Sequence, residues 1–163
     1  MDGQVERRPG RLVIVCGLPG SGKTTYTLEI ASRTKGVRLS ADEWMEALGF
    51  NLWDEDFRAR VEELQWAHAQ DLLSAGMTVL IEWGTWGRSE RDRLRSEARE
   101  VGARVELHYL EAPVDVLFER IQRRGTEDPP ITREQLLEWE ARFEVPGPDE
   151  LALFDAGRVI LQG

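Results

Sequence analysis

The sequence predicts an α/β fold in which a five-stranded parallel sheet carries helices on both faces. Residues 12–16 form a continuous apolar run, which is typical of a strand buried on both faces of a parallel sheet. Segments of strand character then alternate with segments of helical periodicity along the chain. With 163 residues, 41% of them hydrophobic and 31% charged, the chain is predicted to form one domain, residues 1–163, with residues 1–10 flexible.

The loop after this first strand carries the most specific motif of the chain. Residues 17–24 fit the pattern G-x-x-x-x-G-K-[ST] at every fixed position. Glycines let successive backbone N–H groups converge on an anion. The helix predicted for residues 25–34 presents its positive end to the same anion. The motif predicts a nucleoside-triphosphate site, a phosphate-binding loop (P-loop), in which Lys23 reaches the β- and γ-phosphates and the Thr24 hydroxyl binds Mg²⁺. The predicted nucleotide-binding residues of this segment are Gly17, Leu18, Pro19, Gly20, Ser21, Gly22, Lys23, Thr24 and Thr25.

Four further strands and five further helices are predicted from periodicity and from the glycines and prolines that interrupt it. The predicted strands are residues 37–40, 77–81, 104–110 and 158–161, and the predicted helices are residues 43–48, 54–75, 88–100, 113–124 and 132–143. Thr132 and Gln135 form a capping box at the start of the last helix. The helix at residues 88–100 has few apolar residues, so we expect it, including residues 89–92, to face solvent. The whole pattern is that of a P-loop NTPase three-layer sandwich.

Two acidic residues follow predicted strands, at the edge of the sheet where ligands bind. Asp42 comes just after the second strand, where a carboxylate can orient an acceptor hydroxyl and take its proton; Ser40 or Asp42 could instead cap the next helix. Glu82 ends the third strand, where it can hold Mg²⁺ directly or through water. Both side chains are therefore candidates for phosphoryl-transfer chemistry.

Three arginines, Arg120, Arg123 and Arg124, end the helix after the fourth strand. Arginines can neutralise charge on a transferred phosphoryl group, although cations are also favourable at any helix carboxyl end. The flexible residues 125–128 follow at once, so the segment is predicted to be a mobile arginine-bearing lid over the phosphates, with Arg120 and Arg124 as candidate catalytic residues.

Four tryptophans fall on predicted segments at the rim of the site, where a flat apolar acceptor could stack. They are Trp44, Trp53, Trp83 and Trp86. Together with Ser40 and Asp42 they are the predicted acceptor pocket. Trp66 and Trp139 fall inside helices and are assigned to packing.

Charge and cysteine content limit the possible partners and location. The chain has 21 Lys and Arg against 30 Asp and Glu, a net charge of −9, which opposes binding to nucleic acid or to an anionic membrane. Its single cysteine, Cys16, lies in a predicted strand, and residues 1–10 are too polar for a signal peptide, so a cytoplasmic location is expected. His68, on the apolar stripe of its helix, and His108 are assigned structural roles. The sequence leaves the oligomeric state open.

The chain resembles the small P-loop kinases that group with chloramphenicol phosphotransferase, zeta toxin and polynucleotide kinase, an AAA-type ATP-binding domain. The resemblance spans about residues 11–146 and is strongest at residues 17–25 and 39–42. Three segments match more weakly: the strand ending at Glu82, residues 109–113 leading to Arg120 and Arg124, and residues 143–146. The resemblance implies that Asp42 is the general base and that Arg120–Arg124 close over ATP.

One position departs from this family pattern. Polynucleotide kinases usually carry an arginine three residues after the aspartate, where it contacts a nucleic-acid phosphate, whereas this chain has Met45. We therefore expect an ATP- and Mg²⁺-dependent kinase acting on a hydroxyl of a small molecule. Three alternatives stay open: GTP in place of ATP, a polynucleotide 5′-hydroxyl kinase, and a nucleotide-dependent switch without an acceptor.

Overall fold

The computed structural model describes residues 6–163, which form a five-stranded parallel sheet in the order β2-β3-β1-β4-β5. The strands are β1 Arg11–Cys16, β2 Val37–Leu39, β3 Thr78–Ile81, β4 Arg104–Glu111 and β5 Ala156–Leu161. The helices are α1 Lys23–Thr34, α2 Ala41–Ala47, α3 Glu55–Ser74, α4 Arg88–Glu100, α5 Val114–Arg124, α6 Arg133–Arg142 and α7 Pro148–Leu151. The predicted α/β fold class is confirmed. The prediction of flexibility for residues 1–10 falls partly on residues 1–5, which lie outside the described residues.

Strand β1 occupies the centre of the sheet, hydrogen-bonded to β3 on one side and β4 on the other. Leu12, Ile14 and Cys16 belong to the larger apolar cluster, and Val13 and Val15 to a smaller one that includes Ile30 of α1. All five of these β1 side chains have no exposed surface. Both faces of β1 are therefore covered, which explains its continuous apolar run and holds the loop that follows it on a fixed base.

The structure differs from the predicted elements at the end of the chain and in α3. Strand β5 begins at Ala156, and the four-residue helix α7 was not predicted because Gly147 and Pro148 indicate a simple interruption. In α3 the prediction of an apolar stripe through His68 was wrong, since His68 is exposed and Gln65 is buried instead. His108 is buried in β4, where its Nδ1 lies 2.6 Å from the hydroxyl of Tyr26.

The prediction that residues 89–92 face solvent was wrong for Arg91, which is completely buried. Its Nε and one terminal nitrogen donate to the Glu150 carboxylate at 2.7 and 2.9 Å. The guanidinium also donates to the carbonyls of Thr85, Trp86 and Glu144 at 2.7, 3.1 and 2.6 Å. These five hydrogen bonds use all five N–H groups of the guanidinium. Arg91 thus joins α4 to α7 and to two loops.

Replacement of Arg91 should destabilise the protein strongly, because the Glu150 carboxylate would stay buried without its partner. We expect Arg91→Met to lower the free energy of unfolding by about 3–5 kcal/mol. The matched control is Arg93→Met, since Arg93 lies on the same helix but is 52% exposed and pairs only with Glu97. That control should cost less than about 1 kcal/mol. Urea denaturation followed by circular dichroism gives both values, and equal losses in the two variants would contradict the prediction.

Candidate functional site

The P-loop connects β1 to α1 and packs directly on α5. Gly20 and Gly22 have left-handed backbone angles, φ +81° and +90°. A Cβ built on Gly20 would lie 2.6 Å from the carbonyl oxygen of Leu117, closer than any side chain tolerates. Glycine is therefore required at position 20 both for conformation and for space, although the motif fixes glycine only at Gly17 and Gly22.

Lys23, the first residue of α1, reaches back across this loop. Its Nζ donates to the carbonyl oxygens of Gly17 and Leu18 at 2.9 and 3.0 Å. Burial lowers the pKa of Lys23 to about 8, although the negative charges of Asp42 and then Glu82 act in the opposite direction. Lys23, Asp42 and Glu82 follow the carboxyl ends of β1, β2 and β3, which are neighbours in the sheet.

Glu82 is buried beneath the start of α1, with 8% of its surface exposed. Thr24 Oγ1 lies 3.4 Å from Oε1 of Glu82, the Thr27 hydroxyl donates to Oε2, and the Arg38 guanidinium donates to Oε1. Arg38 also pairs with Glu43 of α2. Sequence reasoning missed Thr27 and Arg38; the available signal was an arginine inside the short apolar strand β2.

The Thr24 hydroxyl and the Glu82 carboxylate provide hard oxygen ligands that fit Mg²⁺. Within residues 6–163 there is no group of three or more His, Cys, Asp or Glu side chains that could hold a metal ion. This donor set fits a Mg²⁺ ion bound mainly by nucleotide phosphates and water, with few protein ligands. It does not fit a metal held by the protein alone.

Asp42 lies in the first turn of α2 and does not cap it. The cap is Ser40, whose Oγ accepts a hydrogen bond from the Glu43 amide at 3.3 Å. The Asp42 side chain is 54% exposed and accepts from the Arg58 guanidinium of α3. Of the two cap candidates, Ser40 has that role, which leaves the Asp42 carboxylate directed toward α3. Arg58 is a further residue that sequence reasoning missed.

The three predicted lid arginines occupy different environments. Arg120 donates to the carbonyl oxygens of Gly20 and Gln162 at 3.3 and 3.1 Å, so it joins the P-loop to the end of β5. Arg124 donates to Glu127 at 2.7 Å, and its positive charge is one cause of the lowered pKa of Lys23. Arg123 is 75% exposed and pairs with Glu119. Arg120 and Arg124 therefore lie near the P-loop, whereas Arg123 faces solvent.

The tryptophans are grouped differently in the structure than the sequence predicted. Trp139 lies between Trp53 and Trp86, with ring centroids 5.9 and 5.7 Å away, and we call these three side chains the tryptophan row. Trp83 was predicted to line an acceptor pocket, but it is 3% exposed and its indole N–H donates to Gln65 at 2.7 Å, which places it in the core. Trp44 is half-buried against the same core. Trp139, assigned to packing from the sequence, is packed against the main core and also contacts Trp53 and Trp86.

The α3 and α4 side of the site is acidic. Burial and the negative charges of Glu90, Glu55 and Asp42 together raise the pKa of Glu62 to about 7, although the charge of Arg58 acts in the opposite direction. Burial also raises the pKa of Glu90. Like charges therefore face each other close to Asp42, an arrangement that disfavours a polyanion at this place.

Comparison with known proteins shows the family. The family model described as "AAA domain" matches residues 12–146, and the chain belongs to this P-loop kinase family. The predicted resemblance to this family is confirmed for residues 12–146.

The chain is similar to a curated protein and, in fold, to two solved structures. An L-seryl-tRNA(Sec) kinase of Methanococcus maripaludis is 24% identical over 141 residues, which are 83% of this chain and 53% of that protein, so the chain spans about half the length of this curated relative. A sugar kinase structure from Janibacter sp. has a TM-score of 0.68 and 25% identity, covering 94% of this chain and 86% of that one. The Pnkp1/Rnl/Hen1 RNA repair complex contains a chain with a TM-score of 0.69 and 21% identity, covering 96% of this chain and 49% of that one.

No helix within residues 6–163 is both long enough and apolar enough to cross a membrane.

The lowered pKa of Lys23 predicts a pH-dependent nucleotide affinity. A bound triphosphate favours the charged amine, which is fully present below the pKa of about 8 and is lost as the pH rises above it. ATP affinity should therefore be constant between pH 6.5 and 7.5 and fall by up to about tenfold per pH unit above pH 8. Isothermal titration calorimetry measures this, with Lys23→Arg as the control that stays charged throughout. An unchanged wild-type affinity up to pH 9.5 would show that Lys23 does not bind the phosphates as an ammonium ion.

Proposed function

We propose that the protein is an ATP- and Mg²⁺-dependent phosphotransferase that moves the γ-phosphoryl group of ATP to a hydroxyl of a small-molecule acceptor. One observation carries the proposal: the Asp42 carboxylate caps no helix, stays half-exposed just after the carboxyl end of β2, and pairs with Arg58 at the sheet edge that also carries the P-loop. A carboxylate beside the γ-phosphate position is what hydroxyl phosphorylation needs and what a nucleotide switch does not require. Membership of the P-loop kinase family agrees with it.

The residues around the P-loop have distinct roles in this mechanism. Lys23 exchanges its contacts with the carbonyls of Gly17 and Leu18 for the β- and γ-phosphates, while the backbone N–H groups of the loop bind the remaining oxygens. Thr24 and Glu82 would hold a Mg²⁺ ion, which would supply positive charge to the phosphate oxygens when bound. Arg120 and Arg124 add positive charge above the loop.

Transfer itself needs an oriented nucleophile. Asp42 accepts a hydrogen bond from the acceptor hydroxyl and takes its proton as the new bond forms between that oxygen and the γ-phosphorus. The bond from the γ-phosphorus to the bridging oxygen breaks, and ADP leaves with the negative charge. Arg58 keeps the Asp42 carboxylate in position through its ion pair. The proton then passes from Asp42 to water.

The surroundings of Asp42 favour a small, neutral or cationic acceptor over a nucleic acid. Glu62 and Glu90 make the α3 and α4 side acidic, with raised pKa values that leave Glu62 about half ionised at pH 7, and the tryptophan row offers flat apolar surface nearby. Met45, at the position where polynucleotide kinases carry an arginine, is completely buried. A small acceptor fits these features better than the RNA named for two of the relatives.

A mass-spectrometric screen identifies the acceptor. Purified protein is incubated with ATP, Mg²⁺ and a library of small alcohols, sugars and amino alcohols, and with a 5′-hydroxyl RNA oligonucleotide in a parallel reaction. We expect a product 80 mass units heavier than one small molecule. Slow ATP hydrolysis with no phosphorylated product in either reaction would support the switch, and phosphorylated RNA would support the polynucleotide kinase.

Replacement of Asp42 tests the proposed base. Asp42→Asn keeps the shape of the side chain but removes the proton acceptor, so transfer to the identified acceptor should fall by about 10²–10³-fold. ATP affinity should change less than about threefold, because the P-loop supplies those contacts. Glu46→Gln is the matched control, since Glu46 is an exposed acid of the same helix. Normal transfer by a folded Asp42→Asn variant would remove Asp42 from the mechanism.

A further inference from the structure

A cavity lies at the opposite edge of the sheet from the P-loop. It has a volume of about 600 Å³ and is formed where the amino ends of β1, β3 and β4 meet the carboxyl end of α1. Four cationic residues line it: Arg8, Arg11, Lys35 and Arg104. We call this cavity the basic cleft. None of its residues belongs to the site proposed above, so the inference is independent of the proposed function.

The basic cleft carries more positive charge than its own acids neutralise. Arg11 and Arg104 are register partners on adjacent parallel strands, so their side chains project from the same face of the sheet. Glu106 lies in the same lining and pairs with Arg11, at 3.1 Å between a terminal nitrogen and Oε1. His108 also lies 3.1 Å from Glu106, so this carboxylate is shared.

The remaining three cations have no such partner in the part of the chain that the structure describes. Within residues 6–163, the side chains of Arg8, Lys35 and Arg104 make no ion pair with an acid. Neighbouring like charges repel each other and lower the stability of the folded state. The whole chain has a net charge of −9, so the positive charge of the cleft is opposite in sign to that of the chain as a whole. A bound anion would relieve this repulsion.

The backbone fixes where these side chains start. Gly76, in the turn before β3, has φ +83°, and a Cβ there would lie 2.6 Å from the carbonyl oxygen of Arg8. Glycine thus lets the segment of Arg8 pack against this turn. Lys35 is the left-handed C-cap of α1, and its N–H donates to the carbonyl of Ala31. The carboxyl end of α1 has a partial negative charge, so attraction for an anion comes from the four side chains.

We propose that the basic cleft binds a small anion that carries at least two phosphate groups. Guanidinium groups form bidentate hydrogen bonds with phosphate oxygens, and the Lys35 ammonium adds a compact positive charge beside them. A cavity of about 600 Å³ has room for such an anion. A nucleic acid fits less well, because a polymer would extend beyond the cleft over a surface whose overall charge is negative.

Inorganic tripolyphosphate is the probe that tests this site. The ¹⁵N-labelled full-length protein is titrated in magnesium-free buffer, and backbone amide shifts are followed by NMR. Because the P-loop also attracts phosphates, the amides of Gly20 and Gly22 report that site, while those of Lys35, Gly76 and Thr78 report the basic cleft. We expect saturable shifts at the cleft with a dissociation constant of their own, below about 1 mM.

Variants decide whether the cleft side chains cause the binding. Lys35→Gln and Arg104→Gln should each weaken binding at the cleft amides by about tenfold or more, and leave binding at the P-loop amides within about twofold. Arg142→Gln, which removes an exposed charge outside the cleft, should change neither. Two cleft variants are used so that a folding failure of one still leaves a test, and melting temperatures verify the fold.

The proposal is overturned if the cleft amides do not shift up to 5 mM tripolyphosphate, or if Arg142→Gln weakens the binding as much as the cleft variants do. Citrate serves as an anion without phosphate, and tighter binding of citrate would overturn the assignment to phosphate. A ten-nucleotide single-stranded RNA that binds the cleft more tightly than tripolyphosphate would overturn the assignment to a small anion.

Discussion

The buried carboxylate of Glu82 is the constraint on which the geometry of the candidate site depends. A carboxylate at 8% exposure is tolerated only when hydrogen-bond donors surround it. Thr24 and Thr27 supply donors from α1, and Arg38 supplies one from β2. These contacts hold the start of α1 against the neighbouring strands, and so they determine where Lys23 lies. Arg38 then extends the network to Glu43 on α2, the helix that carries Asp42.

Arginine–carboxylate pairs repeatedly join elements that are distant in sequence. Arg58 of α3 holds Asp42 of α2, and Arg91 of α4 holds Glu150 of α7. In the first pair the acid stays half-exposed and available to an acceptor, whereas in the second both groups are buried and the role is structural. Exposure of the acid, more than the presence of a pair, distinguishes the functional candidate from the structural contact.

Charge divides the molecule into two ends. At the carboxyl edge of the sheet, the acids Asp42, Glu62 and Glu90 lie around the proposed triphosphate site at Lys23 and the P-loop. At the amino edge, Arg8, Lys35 and Arg104 concentrate positive charge. Strand β1 and helix α1 each run from one edge to the other, so both ends are anchored on the same two rigid elements.

The sequence by itself determined the five strands, the P-loop and helices α1 to α6, because these depend on local patterns: apolar runs, glycine positions and caps within a few residues of one another. Ser40 as the cap, the buried Arg91 and the burial of Trp83 in the core were decided only by the tertiary structure. Each depends either on a partner that is distant in the sequence or, for the cap, on a choice between two neighbouring residues that are equally suited to it. Glu150 lies 59 residues from Arg91, and no periodicity relates them. Long-range pairing of polar groups follows from packing, which a local pattern does not record.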